Sequence, residues 1–167
     1  MIPDIYKVKT IGNGFLAVMA KPVSGEWIEN EFTGIASEGI LQIVSLLELN
    51  EAYDVGLRDE KVLAEKNGML YISFPIKDRG IPESAEQFGK LASKIYHQIE
   101  IGKSTVIHCR SGIGRAAILA AATLLFCGFK TDDAFKHIAA KRGVRVPDTE
   151  EQAKWVETNE RIILNYA

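Results

Sequence analysis

Cysteine, histidine and proline are all scarce in this chain of 167 residues, which holds two, three and five of them respectively. Two cysteines make no disulfide framework. Cys127 also lies twelve positions beyond Arg115, about 18 Å along a continuous helix at ~1.5 Å per residue, so it reads as a packing residue and not as a partner for Cys109. No His, Cys, Asp or Glu fall at metal-ligand spacing, and neither a metal nor a cofactor is expected. A net charge of −2 gives no general attraction to nucleic acid or to an anionic membrane, so any affinity for phosphate must be local. The longest apolar run, Ala116 to Phe129, is shorter than the ~20 residues that span a bilayer. Met1 to Thr10 lacks the basic-then-apolar pattern of a signal segment. A cytoplasmic protein is expected, with neither membrane nor nucleic acid as partner.

What the chain does have is the balance of a soluble globular protein, 47% hydrophobic and 25% charged, in one domain covering 1–167 that is long enough to bury a core. Tyr6 to Lys9 alternates, Gly12-Asn13-Gly14 breaks the chain, and Phe15 to Met19 is apolar, which predicts a hairpin at a sheet edge. Trp27, Ile28, Phe32 and Ile35 recur at helical spacing as far as Glu38, with Trp27 expected in core or rim packing. Ile40 to Leu46 is the near-continuous apolar run of a strand buried on both faces, and Met69 to Phe74 reads the same way. Between them, Glu48 to Tyr53 and Leu57 to Lys66 are predicted as short surface helices. Glu83 to Ile101 is an amphipathic helix with Phe88, Leu91, Ile95 and Ile99 in one stripe. Thr131 is expected to cap a helix through Ala140, and Thr149 to start a terminal helix carrying Trp155, Val156, Ile162 and Ile163. Gly102-Lys103-Ser104-Thr105 spells a fragment of a nucleotide loop, but His97 stands where the first glycine belongs and a strand follows it. Strands alternating with helices predict an α/β domain with a short, mostly parallel central sheet and helices on both faces.

The stretch that carries chemistry is His108-Cys109-Arg110-Ser111-Gly112-Ile113-Gly114-Arg115. The β-branched run Thr105 to Ile107 leads into it, and an Ala- and Leu-rich helix from Ala116 leads out. A strand-to-helix turn of this kind offers successive backbone N–H groups and the helix dipole to a phosphate-like dianion. Gly112 and Gly114 permit a tight cradle. Arg115, in the first helical turn, is able to lay its planar fork across two oxygens of the anion. The same field favours Cys109 as a thiolate.

Cysteine, five residues and arginine, preceded by histidine and enclosing this glycine pair, resembles the signature loop of the cysteine-dependent protein phosphatases, the small dual-specificity branch in particular. The resemblance implies a three-layer fold of the phosphotyrosine-phosphatase kind and ester cleavage through a cysteinyl-phosphate intermediate. It implies a phosphorylated protein or peptide as substrate, phosphotyrosine first, and leaves open whether phosphoserine and phosphothreonine are accepted too. Arg110, Ser111, Gly112, Ile113, Gly114 and Arg115 would hold the phosphate, Cys109 would attack it, and His108 would be buried, ordering the loop. Such cleavage also needs an acid for the leaving oxygen. Phe74-Pro75-Ile76-Lys77-Asp78-Arg79-Gly80 follows a neighbouring strand, and Asp78 matches the family's acid. Val146 to Gln152 resembles the segment that brings a glutamine to the site, so Gln152 either faces the chemistry or lies on the surface of a capped helix. Arg79, Arg142 and Arg145 form a modest basic rim or are solvated. The rival readings are a rhodanese-like sulfurtransferase and a phosphate-binding pseudophosphatase.

One position departs from the family. The residue after the signature arginine is usually Ser or Thr, whose hydroxyl helps the cysteine leave when the phosphoenzyme is hydrolysed, and here it is Ala116. Breakdown of the intermediate is then expected to be slower than its formation. Rapid mixing with a chromogenic phosphate ester should give a burst of product before the steady rate, and a trace linear from the first turnover would contradict this.

Overall fold

The computed structural model describes residues 3–167. Five strands, β1 (Tyr6–Ile11), β2 (Gly14–Met19), β3 (Gln42–Ser45), β4 (Leu70–Ser73) and β5 (Thr105–His108), form one sheet in the order β1-β2-β5-β3-β4. β1 pairs antiparallel with β2, and the remaining pairings are parallel. The helices are α1 (Ile28–Ser37), α2 (Leu49–Asp54), α3 (Glu60–Lys66), α4 (Ala85–Glu100), α5 (Arg115–Leu125), α6 (Thr131–Arg142) and α7 (Glu150–Leu164).

Strand side chains alternate between two cores. Leu16, Val18, Val44 and Ile107 face α4 to α7, whereas Ala17, Met19, Ile43 and Val106 face α1 and α3. The expected three layers are present, and the central strands β2, β3 and β5 are buried on both faces. α5 is buried all round because it lies between the sheet and α4, α6 and α7. Its alanines 116, 117, 120, 121 and 122, all fully buried, allow this close approach. The α4 stripe of Phe88, Leu91, Ile95 and Ile99 is buried as its spacing requires, and Ser84 caps the helix by accepting from the Gln87 N–H. Among the described residues no helix is long and apolar enough to cross a membrane, and both cysteines are free.

Four local expectations fail. β4 closes the sheet as an edge strand, so its Leu70 is exposed and the strand is not a buried one. Trp27 stands in solvent ahead of α1, 62% exposed. Lys130, not Thr131, occupies the N-cap of α6, and the Thr131 hydroxyl donates instead to Glu160 at 2.7 Å. α2 and α3 are not merely surface helices, because each buries one acid, Glu51 and Glu60. Periodicity of apolar residues does not register a helix that turns a charge inward.

The parallel arrangement sends the chain out of β3, β4 and β5 at one sheet edge, where α/β folds bind ligands. Pairing continues past the strands, with Leu46 N–H donating to His108, Phe74 N–H to Ser45 and Ile76 N–H to Leu46. The segment after β4 is thereby fastened beside the loop after β5.

Phe88 is fully buried, edge-on to Trp155 at 5.2 Å and tilted against Phe74 at 6.0 Å. It joins α4, α7 and the end of β4. Phe88→Ala should cost about 3–5 kcal/mol of stability, measured by denaturant unfolding, without changing any residue of the loop after β5.

Candidate active site

The loop from Cys109 to Gly114 runs from the end of β5 to the first residue of α5. Gly112 takes the left-handed conformation at φ 77°, and a Cβ there would meet the Met19 carbonyl at 2.7 Å. Only glycine fits on both counts. Cys109, 2% exposed, lies under the start of α5, and the Ala116 N–H donates to its Sγ at 3.3 Å. Among the described residues that is the one donor on the sulfur, and the Ser111 side chain is exposed.

The loop's carbonyls turn outward. Arg110 O accepts from the Lys21 N–H at 3.2 Å, and Ser111 O accepts from the Arg142 guanidinium at 3.0 Å. Among the described residues the N–H groups of Arg110, Ser111, Gly112, Ile113 and Gly114 have no acceptor. Five consecutive free donors at the N-terminus of an apolar helix form an anion cradle.

Arg115 is 1% exposed, and both terminal nitrogens of its guanidinium are already engaged. Nη1 and Nη2 donate to the two carboxylate oxygens of Glu51 at 2.8 and 2.9 Å. Nη1 also reaches the carbonyls of Ile76 at 2.9 Å and Leu46 at 3.4 Å, while Nη2 reaches Asp78 Oδ1 at 3.0 Å. The fork that the sequence directs at an anion is thus bidentate to Glu51. Arg110 Nε adds a third donor to the same carboxylate at 3.1 Å. Burial alone would lower the Arg115 titration point, but the bonds to Glu51 and the charges of Cys109, Glu51 and Asp78 hold it above the ordinary range. Burial alone would likewise raise Glu51, and the bond and charge of Arg115, with smaller help from the Glu48 backbone and Arg110, outweigh it and hold the carboxyl below 4.5.

Glu51 is the residue that the sequence reading missed. Its signal was electrostatic, since an arginine drawn into a loop ending at a buried helix needs a counter-charge. Asp78 is half exposed and touches Arg115, so the structure brings it to the edge of the loop that holds Cys109. His108 is fully buried, as expected, with Nε2 against Glu60 Oε2 at 2.5 Å. Glu60 Oε1 has no hydrogen-bond partner. Burial first, and then the charge of Glu60, push the neighbouring Tyr71 hydroxyl upward. Gln152 is fully buried, which overturns the surface reading: it does sit in a capped helix, where Oε1 accepts from the Thr149 N–H in a capping box, but its Nε2 turns inward and donates to Gly80 O at 3.0 Å. The basic rim divides, for Arg79 pairs with Asp148 at 3.2 Å and Arg142 is tied to the loop. Among the described residues no cluster of three or more His, Cys, Asp or Glu is placed to hold a metal.

Removing one partner of a buried ion pair leaves the other charge uncompensated, so Glu51→Ala should destabilise the protein by about 3–5 kcal/mol. Because folding lowers the Glu51 titration point, its contribution is complete above about pH 4.5 and is lost as pH falls below that value. Thermal unfolding across pH 3–6 should be flatter in Glu51→Gln than in the parent, checked by calorimetry.

The family model described as "Polymorphic toxin system, DSP-PTPase phosphatase" matches residues 17–129, from β2 through the whole signature loop and α5. The mouse protein tyrosine phosphatase type IVA 3 is 31% identical over 86 residues, 50% of this chain and 49% of that protein. Mouse type IVA 2 is 32% identical over 85 residues, 50% of each chain. The chain thus spans about half the length of the curated relatives it matches. Among solved structures, a kinase-associated phosphatase with serine in place of its catalytic cysteine superposes with TM-score 0.85 at 19% identity, covering 97% of both chains. Tk-PTP in its active form gives TM-score 0.78 at 26% identity, covering 96% of this chain and 99% of its own. With two-thirds of its length under one family model and the cysteine cradle intact, the chain belongs to the small cysteine-dependent dual-specificity and tyrosine phosphatases.

Proposed function

We propose that the protein hydrolyses phosphate monoesters of proteins or peptides, phosphotyrosine first, through a cysteinyl-phosphate intermediate. The observation that carries this reading is a single buried sulfur beneath five free backbone N–H groups, bordered by an arginine that is itself paired to an aspartate. The type IVA relatives bear the name of tyrosine phosphatases, and that substrate class is carried to this chain as part of the proposal. A cytoplasmic setting accompanies it, which two free cysteines suit.

In this reaction the Cys109 thiolate attacks phosphorus while three phosphoryl oxygens rest on the loop N–H groups and Arg115. The bond from phosphorus to the leaving oxygen breaks, and Asp78 gives that oxygen its proton. Water then attacks the phosphocysteine, Asp78 takes the proton back, and inorganic phosphate leaves with the thiolate restored. Arg115 contributes twice, as a charge on the transferring group and as the contact that draws the Asp78 segment to the sulfur. Gln152, bonded to Gly80 two residues past Asp78, acts on the position of the acid segment. A sulfurtransferase needs no such acid, so the Asp78–Arg115 contact favours phosphoryl chemistry.

Phosphotyrosine, phosphoserine and phosphothreonine peptides, phosphoinositides and RNA 5′-triphosphate should be compared with the parent protein, Cys109→Ser and Asp78→Asn. Cys109→Ser should be inert on every substrate. Asp78→Asn should lose roughly 10²–10⁴ in turnover on alkyl or tyrosyl esters and its dependence on an acid of the enzyme. Full activity of either variant, or persulfide formation from thiosulfate in place of phosphate release, would overturn the assignment.

A further inference from the structure

A trans peptide places its carbonyl and the following N–H on opposite sides of one plane. Whatever holds a carbonyl of the signature loop outward therefore aims the next N–H into the cradle. For the Arg110–Ser111 peptide the holder is the Lys21 backbone N–H, which no side-chain change removes. For the Ser111–Gly112 peptide it is a side chain, Arg142, at 3.0 Å.

That side chain comes from outside the loop and is itself held. Arg142 is the last residue of α6, whose chain turns away at Gly143 in the left-handed conformation. Its guanidinium carbon stands 4.2 Å from the ring centroid of Tyr6 on β1, a stacking distance for a planar cation. α6 is fixed to the same strand by His137 Nε2, which donates to Val8 O at 2.7 Å where the β1–β2 register shifts. The peptide it grips precedes a glycine and is therefore able to turn over. Flipping it changes ψ of Ser111 and φ of Gly112, and a glycine accepts either sign of φ at little cost.

The geometry points to Arg142 as a positioning residue of the phosphate cradle: bonded to the Ser111 carbonyl and stacked on Tyr6, it fixes the Ser111–Gly112 peptide with the Gly112 N–H turned to the anion. The edge hairpin thereby acts on the site through Tyr6. This rests on the phosphatase reading and adds to it a residue that touches neither substrate nor sulfur.

Tungstate, a tetrahedral oxyanion, serves as the probe, with binding followed by calorimetry at low and at 0.5 M salt beside kcat and KM on p-nitrophenyl phosphate. Outright loss of one oxyanion donor costs roughly 10²–10³ in rate, and a donor merely freed to turn away should cost less. Arg142→Ala should weaken tungstate binding and kcat/KM by about tenfold at either salt concentration, with the melting temperature nearly unchanged. Arg142→Gln, neutral but still able to donate to the carbonyl, should recover most of the loss, and Tyr6→Leu should show part of it. Unchanged tungstate affinity in Arg142→Ala overturns the inference. So does a loss that Arg142→Lys rescues, Arg142→Gln does not, and salt abolishes, which would mark a simple charge effect. Absence of tungstate binding by the parent protein would instead overturn the phosphatase reading itself.

Discussion

The buried pair of Arg115 and Glu51 is the constraint on which the rest of the site depends. A guanidinium at 1% exposure needs partners for its charge, and here two carbonyls and two carboxylates engage its terminal nitrogens. These partners come from the end of β3, from α2 and from the segment after β4, so one side chain on α5 gathers three separate pieces of chain. The arrangement also sets the charge of the site. Arg110 and Arg115 face Glu51 and Asp78, two charges of each sign. An arriving dianion therefore meets little net positive charge from side chains. Its attraction must come from the free N–H groups of the loop and the dipole of α5, which are fixed in place and need no rearrangement.

Pairing continuity explains why these pieces lie within reach of each other. The ladder bonds that run past the strands, Leu46 to His108 and Ile76 to Leu46, extend the parallel sheet by one rung beyond its last regular residue. That rung carries the two carbonyls that Arg115 reaches. Arg115 thus caps the last rung of the sheet, adding to the Leu46 carbonyl that already accepts from the Ile76 N–H and engaging the Ile76 carbonyl beyond it.

The sequence disclosed the parts of this that follow from period and local chemistry. Apolar runs marked β2, β3 and β5, the i, i+4 stripe marked α4, and the glycine-rich turn between a β-branched strand and an alanine-rich helix marked the cradle. Asp78 was legible because its segment follows a strand that had to end at the same edge. Glu51 and Glu60 were not legible, and Arg142 was legible only as a candidate of a basic rim, for each makes its contact across the fold at separations that no window of sequence contains: Glu51 with Arg115, Glu60 with His108 and Arg142 with Ser111. β4 was misread for a related reason. An apolar strand looks alike whether it lies inside a parallel sheet or closes its edge, and only the connection order distinguishes the two.

Gln152 shows that a residue in a helix cap need not lie at the surface. As the N3 residue of α7 it closes a capping box with Thr149, which consumes its oxygen and fixes its rotamer. The amide nitrogen, now with no freedom to wander, is left aimed at Gly80 in the segment that carries Asp78. The cap makes the contact possible, because a long side chain would otherwise lose rotamer entropy on reaching across to a neighbouring loop. Helix-terminus chemistry and site architecture are here the same set of bonds. The fold keeps the segment bearing Asp78 in place with a residue that caps α7.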